Sequence, residues 1–212
     1  YMVSMGFGYP LGIDLPGEKR GMIPNDKYYD KNYNGSWNGL TIISIAIGQG
    51  EVTATPLQMA NLGATIANRG YFITPHVVKE VEDEALDSLY TTKRYTKVRE
   101  EHYETVVQGM RAAVTGGTCR AANLPGLDVC GKTGTAQNRG KDHSAFMGFA
   151  PMNNPKIAVA VYVENGGWGA TYGVPIGALI MEKYLNGELS AQSELKAQDI
   201  QMRRIDYGVH ER

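Results

Sequence analysis

The most informative stretch of the chain reads Gly131-Lys132-Thr133-Gly134-Thr135-Ala136-Gln137. Its residue types suit a site for a carboxylate. Lys132 carries a fixed positive charge, and the hydroxyls of Thr133 and Thr135 are hydrogen-bond donors. Gly134 has no side chain, which allows a ligand to lie against the backbone. Because a triplet of common residues also occurs by chance in turns and strand edges, the flanking sequence must distinguish the two interpretations.

Several further blocks flank this stretch in a fixed order. They are FGYPLGIDLPGE (7–18), GQG (48–50), TPLQMA (55–60), DHSAFMGFAP (142–151) and VENGG (163–167). Together with the Lys-Thr-Gly triplet, they resemble the transpeptidase domain of class B penicillin-binding proteins, and within that family the elongation type. The resemblance covers nearly all of residues 5–187.

The resemblance implies roles for the residues of the triplet. In this family a Lys-Thr-Gly triplet lies on a strand edge beside a serine nucleophile and binds a substrate carboxylate. Lys132, Thr133, Gly134 and Thr135 are therefore the expected substrate-binding residues. The Thr135 N–H would supply half of an oxyanion hole, so Lys132 and Thr135 are the expected catalytic residues.

The chain departs from the family in its serine motifs. Members carry Ser-x-x-Lys and then Ser-x-Asn, both upstream of the block that here begins at residue 7. The only Ser-x-x-Lys is Ser193-Glu194-Leu195-Lys196, which follows the triplet in a polar segment. Ser36-Trp37-Asn38 follows the FGYPLGIDLPGE block in a stretch rich in Gly and Asn, which indicates a loop. We therefore expect the C-terminal part of a transpeptidase domain without its nucleophile, inactive by itself.

The activity implied for the parent protein is cross-linking of peptidoglycan. Its serine would attack the D-Ala-D-Ala carbonyl of a stem peptide, release D-Ala and pass the acyl group to a neighbouring stem peptide, and β-lactams would trap the acyl-enzyme. The resemblance implies no metal or organic cofactor. It implies association with cell-elongation proteins and a place at the periplasmic face of the inner membrane, with the anchor outside this chain. A β-lactamase or β-lactam sensor, and a non-catalytic binding fragment, remain alternatives.

Composition is consistent with one globular unit. The chain has 212 residues, of which 42% are hydrophobic and 20% charged, enough for a core. The net charge of -1 gives no electrostatic reason to expect nucleic acid as a partner. No apolar run approaches the roughly 20 residues that span a bilayer, and the first 20 residues lack a signal-peptide pattern.

The first half of the chain contains one strong helix signal. Thr55 is predicted to cap a helix in which Pro56 takes the first position and Gln58 completes a capping box. Residues 1–39 are predicted to be irregular. The helix capped by Thr55 is predicted to end at Gly70. Three further segments have patterns that predict an element: a strand or buried helical turn at 41–47, a strand at 71–81 interrupted by Pro75, and a helix at 103–114 ended by Gly116 and Gly117.

The second half predicts an antiparallel meander of strands at 129–136, 144–149 and 157–163. The last strand is apolar on both faces, which indicates a central or covered position. A helix over 175–185, ended near Gly187, would pack on the sheet. The fold class is therefore α+β, a partial penicillin-binding/β-lactamase-like fold lacking its N-terminal portion. Its domain would span residues 1–187, and residues 188–212 would form a frayed or disordered polar tail.

Other candidate residues have weaker signals. His143 follows Asp142 but opens a strand, and the family mechanism needs no histidine base, so we expect a structural role. The remaining histidines, at 76, 102 and 210, have no metal-ligand spacing. Trp168 either lines the mouth of a cleft or is a solvent-exposed loop residue.

The two cysteines, Cys119 and Cys130, allow two interpretations. In an oxidising compartment they would form a disulfide, and otherwise they would be two buried free thiols. Their spacing does not resemble Cys-x-x-Cys, so a redox or zinc site is not predicted.

Overall fold

The structure is a computed structural model, and it describes residues 1–205. Residues 1–205 contain six α-helices, five strands and three short 3-10 turns. The helices are α1 (Asp26–Tyr33), α2 (Ile43–Ala46), α3 (Pro56–Ala67), α4 (Glu101–Thr115), α5 (Gly173–Asn186) and α6 (Ala191–Met202). The strands are β1 (Tyr71–Phe72), β2 (Arg94–Tyr95), β3 (Cys130–Ala136), β4 (His143–Ala150) and β5 (Ile157–Val163).

The main sheet is the predicted antiparallel meander, in the order β3-β4-β5. Thr133 lies opposite Phe146, which lies opposite Val161. Since side chains alternate between the faces of a strand, Phe146 and Met147 point to opposite sides of β4. Helix α5 packs on the Phe146 side, while α3 and α4 pack on the Met147 side. The result is a helix–sheet–helix arrangement, which confirms the predicted α+β class.

The core beside α5 is built around the ring of Phe146, which is 2% exposed. Glycines surround that ring on three elements. A Cβ added at Gly131 of β3 would lie 2.5 Å from the ring, and one at Gly148 of β4 would lie 2.7 Å away. Gly177 of α5 approaches the ring equally closely. Larger residues at these positions would push the helix away from the sheet.

Two predicted helices form as expected. Thr55 Oγ1 accepts from the Gln58 N–H at 3.1 Å, and Gln58 Oε1 accepts from the Thr55 N–H at 3.0 Å. These are the two bonds of the predicted capping box, at the start of α3. The stripe of α4 is buried at Tyr103, Val107 and its later apolar positions, although Val106 is exposed.

Much of the N-terminal region is irregular but well connected. The fully buried Gln58 amide donates to the carbonyls of Gly6, Tyr9 and Arg20 at 3.0–3.1 Å. The Glu18 carboxylate accepts from the N–H groups of Leu11, Gly12 and Ile13. Hydrogen bonds between the backbone of this segment and two side chains therefore hold it in place without a regular helix or strand.

Several predictions need correction in the first half of the chain. Helix α1 forms inside the segment expected to be irregular, because the Asn25 side chain accepts from the Tyr28 N–H and caps it. Residues 43–46 form a helical turn, but Ile43 and Ile47 are exposed rather than buried. The strand expected over 71–81 is reduced to β1, which ends before Pro75.

Two corrections concern the second half. Strand β5 is not central, since β4 lies between β3 and β5. Helices α3 and α5 pack on β5, so the prediction that this strand is covered holds. The expected frayed tail contains α6, which Ser190 caps and whose Ser193 is buried. Residues 206–212 of that tail lie outside the described part. Among residues 1–205, no helix has the length and apolar character to cross a bilayer.

Candidate functional site

The predicted site residues lie on β3, a strand with one partner. Within residues 1–205, β3 pairs only with β4, so its other edge faces outward. Lys132 and Thr135 are exposed there, and Thr133 and Gly134 are half-buried. The Lys132 ammonium donates to the Thr133 carbonyl at 2.8 Å, which keeps the cation close to the strand. The structure thus puts a cation, two hydroxyls and an unpaired strand edge together.

The threonine hydroxyls lie on the opposite pleat from Lys132. Thr133 Oγ1 shares a hydrogen bond of 3.0 Å with Thr118 Oγ1. Thr135 Oγ1 accepts from the Gly169 N–H at 3.3 Å. A hydroxyl that accepts from an N–H keeps its own proton for donation. Lys132 and the two threonines would therefore reach a ligand at the strand edge from its two sides.

The loop of residues 164–172, between β5 and α5, packs directly on β3 and β4. A Cβ at Gly169 would lie 2.5 Å from the Gly134 carbonyl oxygen and 2.6 Å from that of Ala145, so only glycine fits. Ser144, fully buried opposite Thr135, holds the loop in place. Its hydroxyl lies 2.8 Å from the Trp168 carbonyl oxygen and accepts from the Gly173 N–H at 3.0 Å.

A cleft of about 350 Å³ is lined mostly by residues of this loop. Its lining residues are Lys141, Asn165, Gly166, Gly167, Trp168, Thr171, Tyr172, Arg204 and Ile205. Trp168 lines this cleft and is 74% exposed. No residue of β3 lines the cleft.

The two misplaced serine motifs lie in structural positions. Ser193 is 1% exposed in the first turn of α6, which packs against α5. Ser36 follows α1, and its neighbour Trp37 donates to the Asp30 carboxylate at 2.7 Å. Neither motif has a described hydrogen bond to β3.

His143 has the contacts of a structural residue. Its Nδ1 accepts from the Asn165 N–H at 2.9 Å, and its ring lies 5.4 Å from that of Tyr162. These contacts join the start of β4 to the end of β5. In the described part of the chain, no cluster of His, Cys, Asp or Glu side chains has the arrangement of a metal site.

Both cysteines are buried free thiols, so the disulfide alternative is wrong. They belong to different cores on opposite faces of the sheet, Cys119 beside α5 and Cys130 beside α3 and α4. Burial raises the pKa of both thiols, that of Cys130 to about 11. Neither is an activated nucleophile.

Sequence analysis missed the residues that support the strand. Thr118, Ser144 and Gly169 contact the site from separate segments, and none has a local pattern that indicates its partner. The closely spaced glycines at 166, 167 and 169 were the one signal available, since clustered glycines mark close backbone approach.

Comparison with known proteins identifies the family. The model of the penicillin binding protein transpeptidase domain matches residues 1–184. Peptidoglycan D,D-transpeptidase MrdA of Acinetobacter baumannii is 34% identical over 81% of this chain and 28% of its own length. The MrdA protein of Haemophilus influenzae is 33% identical over 89% of this chain and 32% of its own length. The chain therefore spans about a third of these relatives.

Solved structures agree with this assignment. Pseudomonas aeruginosa PBP2 in complex with WCK 5153 matches with a TM-score of 0.75 and 35% identity, over 91% of this chain and 45% of that one. The complex between PBP2 and MreC from Helicobacter pylori matches with a TM-score of 0.74 and 28% identity, over 88% of this chain and 35% of that one. The expected resemblance to penicillin-binding protein 2 is confirmed, and the chain belongs to the penicillin-binding protein transpeptidase family.

Proposed function

We propose that this chain is part of a peptidoglycan D,D-transpeptidase and carries the strand that binds the substrate carboxylate. The observation that carries the proposal is the outward edge of β3, where the exposed Lys132 ammonium and the Thr133 and Thr135 hydroxyls lie within four residues. Charge-assisted hydrogen bonds from such groups are the usual way to hold a carboxylate. Family membership supports the same function.

In the proposed reaction the nucleophile is a serine upstream of the residues in this chain. It attacks the D-Ala-D-Ala carbonyl, D-Ala leaves with its amine protonated, and the acyl group passes to an amine of a second stem peptide. Lys132 and the two threonine hydroxyls hold the terminal carboxylate, and Gly134 lets the peptide approach the strand. The Thr135 N–H stabilises the oxyanion, a contribution that is typically worth about 10²- to 10³-fold in rate.

The proposed partners follow from the relatives. Stem peptides are the substrates, and β-lactams are inhibitors that acylate the same serine. The structure of PBP2 with MreC supports association of the parent with cell-elongation proteins. The parent would be anchored in the inner membrane with this domain on the periplasmic side.

The experiment compares this chain with a longer form that includes the upstream serine. Both are incubated with a penicillin and examined by intact-mass spectrometry, and the longer form is also given a pentapeptide ending in D-Ala-D-Ala together with an acceptor amine. We expect a stable adduct, D-Ala release and a cross-linked product for the longer form alone. A stoichiometric adduct on Ser36 or Ser193 of this chain would contradict the proposal.

The same experiment separates the alternatives. A β-lactamase would hydrolyse the penicillin with rapid turnover, and a sensor would form the adduct but produce no cross-linked peptide. A non-catalytic fragment would give neither adduct nor product in either form.

A further inference from the structure

We propose that Arg203 is a positioning residue for the site, acting through the loop of residues 164–172 on Thr135. The inference rests on the proposed function and adds a segment beyond the matched family domain, which ends at residue 184. Arg203 directly follows α6, the helix that sequence analysis did not predict.

The Arg203 side chain contacts two residues of the loop and one residue of α6. Its Nη1 donates to the Thr171 carbonyl at 3.1 Å, and its guanidinium lies 5.5 Å from the centre of the Tyr172 ring. Its Nε and Nη2 donate to the Asp199 carboxylate at 3.0 and 2.6 Å, which fixes the guanidinium in this orientation. A planar group with several donors can make all three contacts together, whereas a lysine cannot.

Hydrogen bonds made by the loop connect Thr171, which Arg203 contacts, to Thr135 of β3. The Thr171 N–H donates to the Trp168 carbonyl at 2.8 Å, closing a turn that contains Gly169. Gly169 in turn donates its N–H to Thr135 Oγ1. Thr171 is therefore held from both sides, by Arg203 at its carbonyl and by the turn at its N–H.

The consequence for the site concerns the Thr135 proton. With the Gly169 N–H on one lone pair, the hydroxyl is oriented so that its proton is available to a ligand carboxylate. If the turn moves, Thr135 rotates among its rotamers and the donor is no longer fixed. The pair of Arg203 and Asp199 is partly exposed, so we expect it to contribute little to overall stability. Its effect should be local.

The first test is hydrogen exchange in the 212-residue chain. Arg203→Ala should raise exchange about five- to tenfold at the amides of residues 168–171 and leave β4 unchanged, as for loss of one hydrogen bond. Arg203→Lys should lie between Arg203→Ala and wild type. Gln198→Ala, an exposed substitution on the same helix, is the control and should match wild type. Unchanged loop exchange, or equal loss of protection in the loop and β4, would overturn the proposal.

The second test is a double-mutant cycle in the longer form that carries the serine. Arg203→Ala should slow acylation by penicillin about fivefold, while the double variant with Thr135→Val should be no slower than Thr135→Val alone. If the fold-reduction in the acylation rate of the double variant equals the product of the two single reductions, Arg203 does not act through Thr135. If the wild-type longer form is not acylated, the proposed function fails, and hydrogen exchange still decides whether Arg203 orders the loop.

Discussion

Thr135 illustrates how single residues of the site depend on distant parts of the chain. Its hydroxyl is engaged by Gly169, 34 positions away, and its cross-strand neighbour Ser144 holds the same loop. Thr133 is likewise paired with Thr118. The residue types of the triplet predict carboxylate binding, but the orientation of each donor is determined by these neighbours.

His143→Ala tests whether this histidine is structural. The variant loses the bond from the Asn165 N–H and should be destabilised by about 1–2 kcal/mol, measured by urea unfolding. His102→Ala is the control, since His102 is exposed on α4 and should change stability by less than about 0.5 kcal/mol. In the longer form with the upstream serine, the rate at which penicillin acylates the folded fraction of His143→Ala should equal that of wild type. A rate loss as large as that of Lys132→Ala in fully folded protein would place His143 in the active site.

The thiols of Cys119 and Cys130 should be unreactive in the folded chain. Their raised pKa values lower the thiolate fraction at pH 8, and burial blocks access. Alkylation at pH 8 should therefore be at least about 100-fold slower than in urea-unfolded chain, followed by mass spectrometry. Similar rates in both states would show that the thiols are accessible.

At the scale of elements, the sequence predicted the helices and strands that are stabilised by residues close together in the chain. The capping box at Thr55 and Gln58 involves residues three apart, and strands β4 and β5 are rich in apolar residues. Helix α1 was missed because its polar composition resembles a loop, although Asn25 supplies a cap. Helix α6 was missed because it has no apolar stripe and instead buries Ser193. The loop-to-strand contacts involve residues too far apart for any sequence period to indicate.

Gly177→Ala tests how α5 packs on the sheet. Although alanine favours a helix, its Cβ would collide with the Phe146 ring, so we expect destabilisation of about 1–3 kcal/mol. Gly109→Ala is the matched control: this glycine is on the exposed side of α4, with no atom near an added Cβ. The free energy of unfolding of Gly109→Ala should be about 0.5–1 kcal/mol higher than that of wild type. Urea unfolding of both variants measures the difference, and equal effects would contradict the packing described around Phe146.

At the scale of the whole molecule, the helices cover both faces of the sheet, but other apolar surface stays open. Leu40, Ile43 and Ile47 are 78%, 57% and 69% exposed within one short stretch. Ile43 is the first residue of α2 and Ile47 directly follows its last residue. Clustered exposed apolar side chains of this kind favour association.

The 212-residue chain should therefore self-associate at high concentration. Sedimentation velocity should show species larger than the monomer, and the double substitution Ile43→Glu/Ile47→Glu should shift the distribution toward monomer. Leu195→Glu is the control, because Leu195 is an exposed leucine on α6, outside the stretch of residues 40–47, and should have no effect. A monomeric wild-type chain at all concentrations would show that this surface does not drive association.

The central claim is that the β3 edge binds the carboxylate of the substrate, and Lys132 is its only full charge. The most direct measurement is the second-order rate of acylation by penicillin in the longer form with the upstream serine, corrected for folded fraction by circular dichroism. Lys132→Ala should lower this rate by about 100-fold or more. Thr133→Val should lower it by less, because one hydroxyl among several donors is lost, a loss of about 1–2 kcal/mol. Lys156→Ala, which removes an exposed charge between β4 and β5, should leave it unchanged. Equal rates for Lys132→Ala and Lys156→Ala would contradict the account.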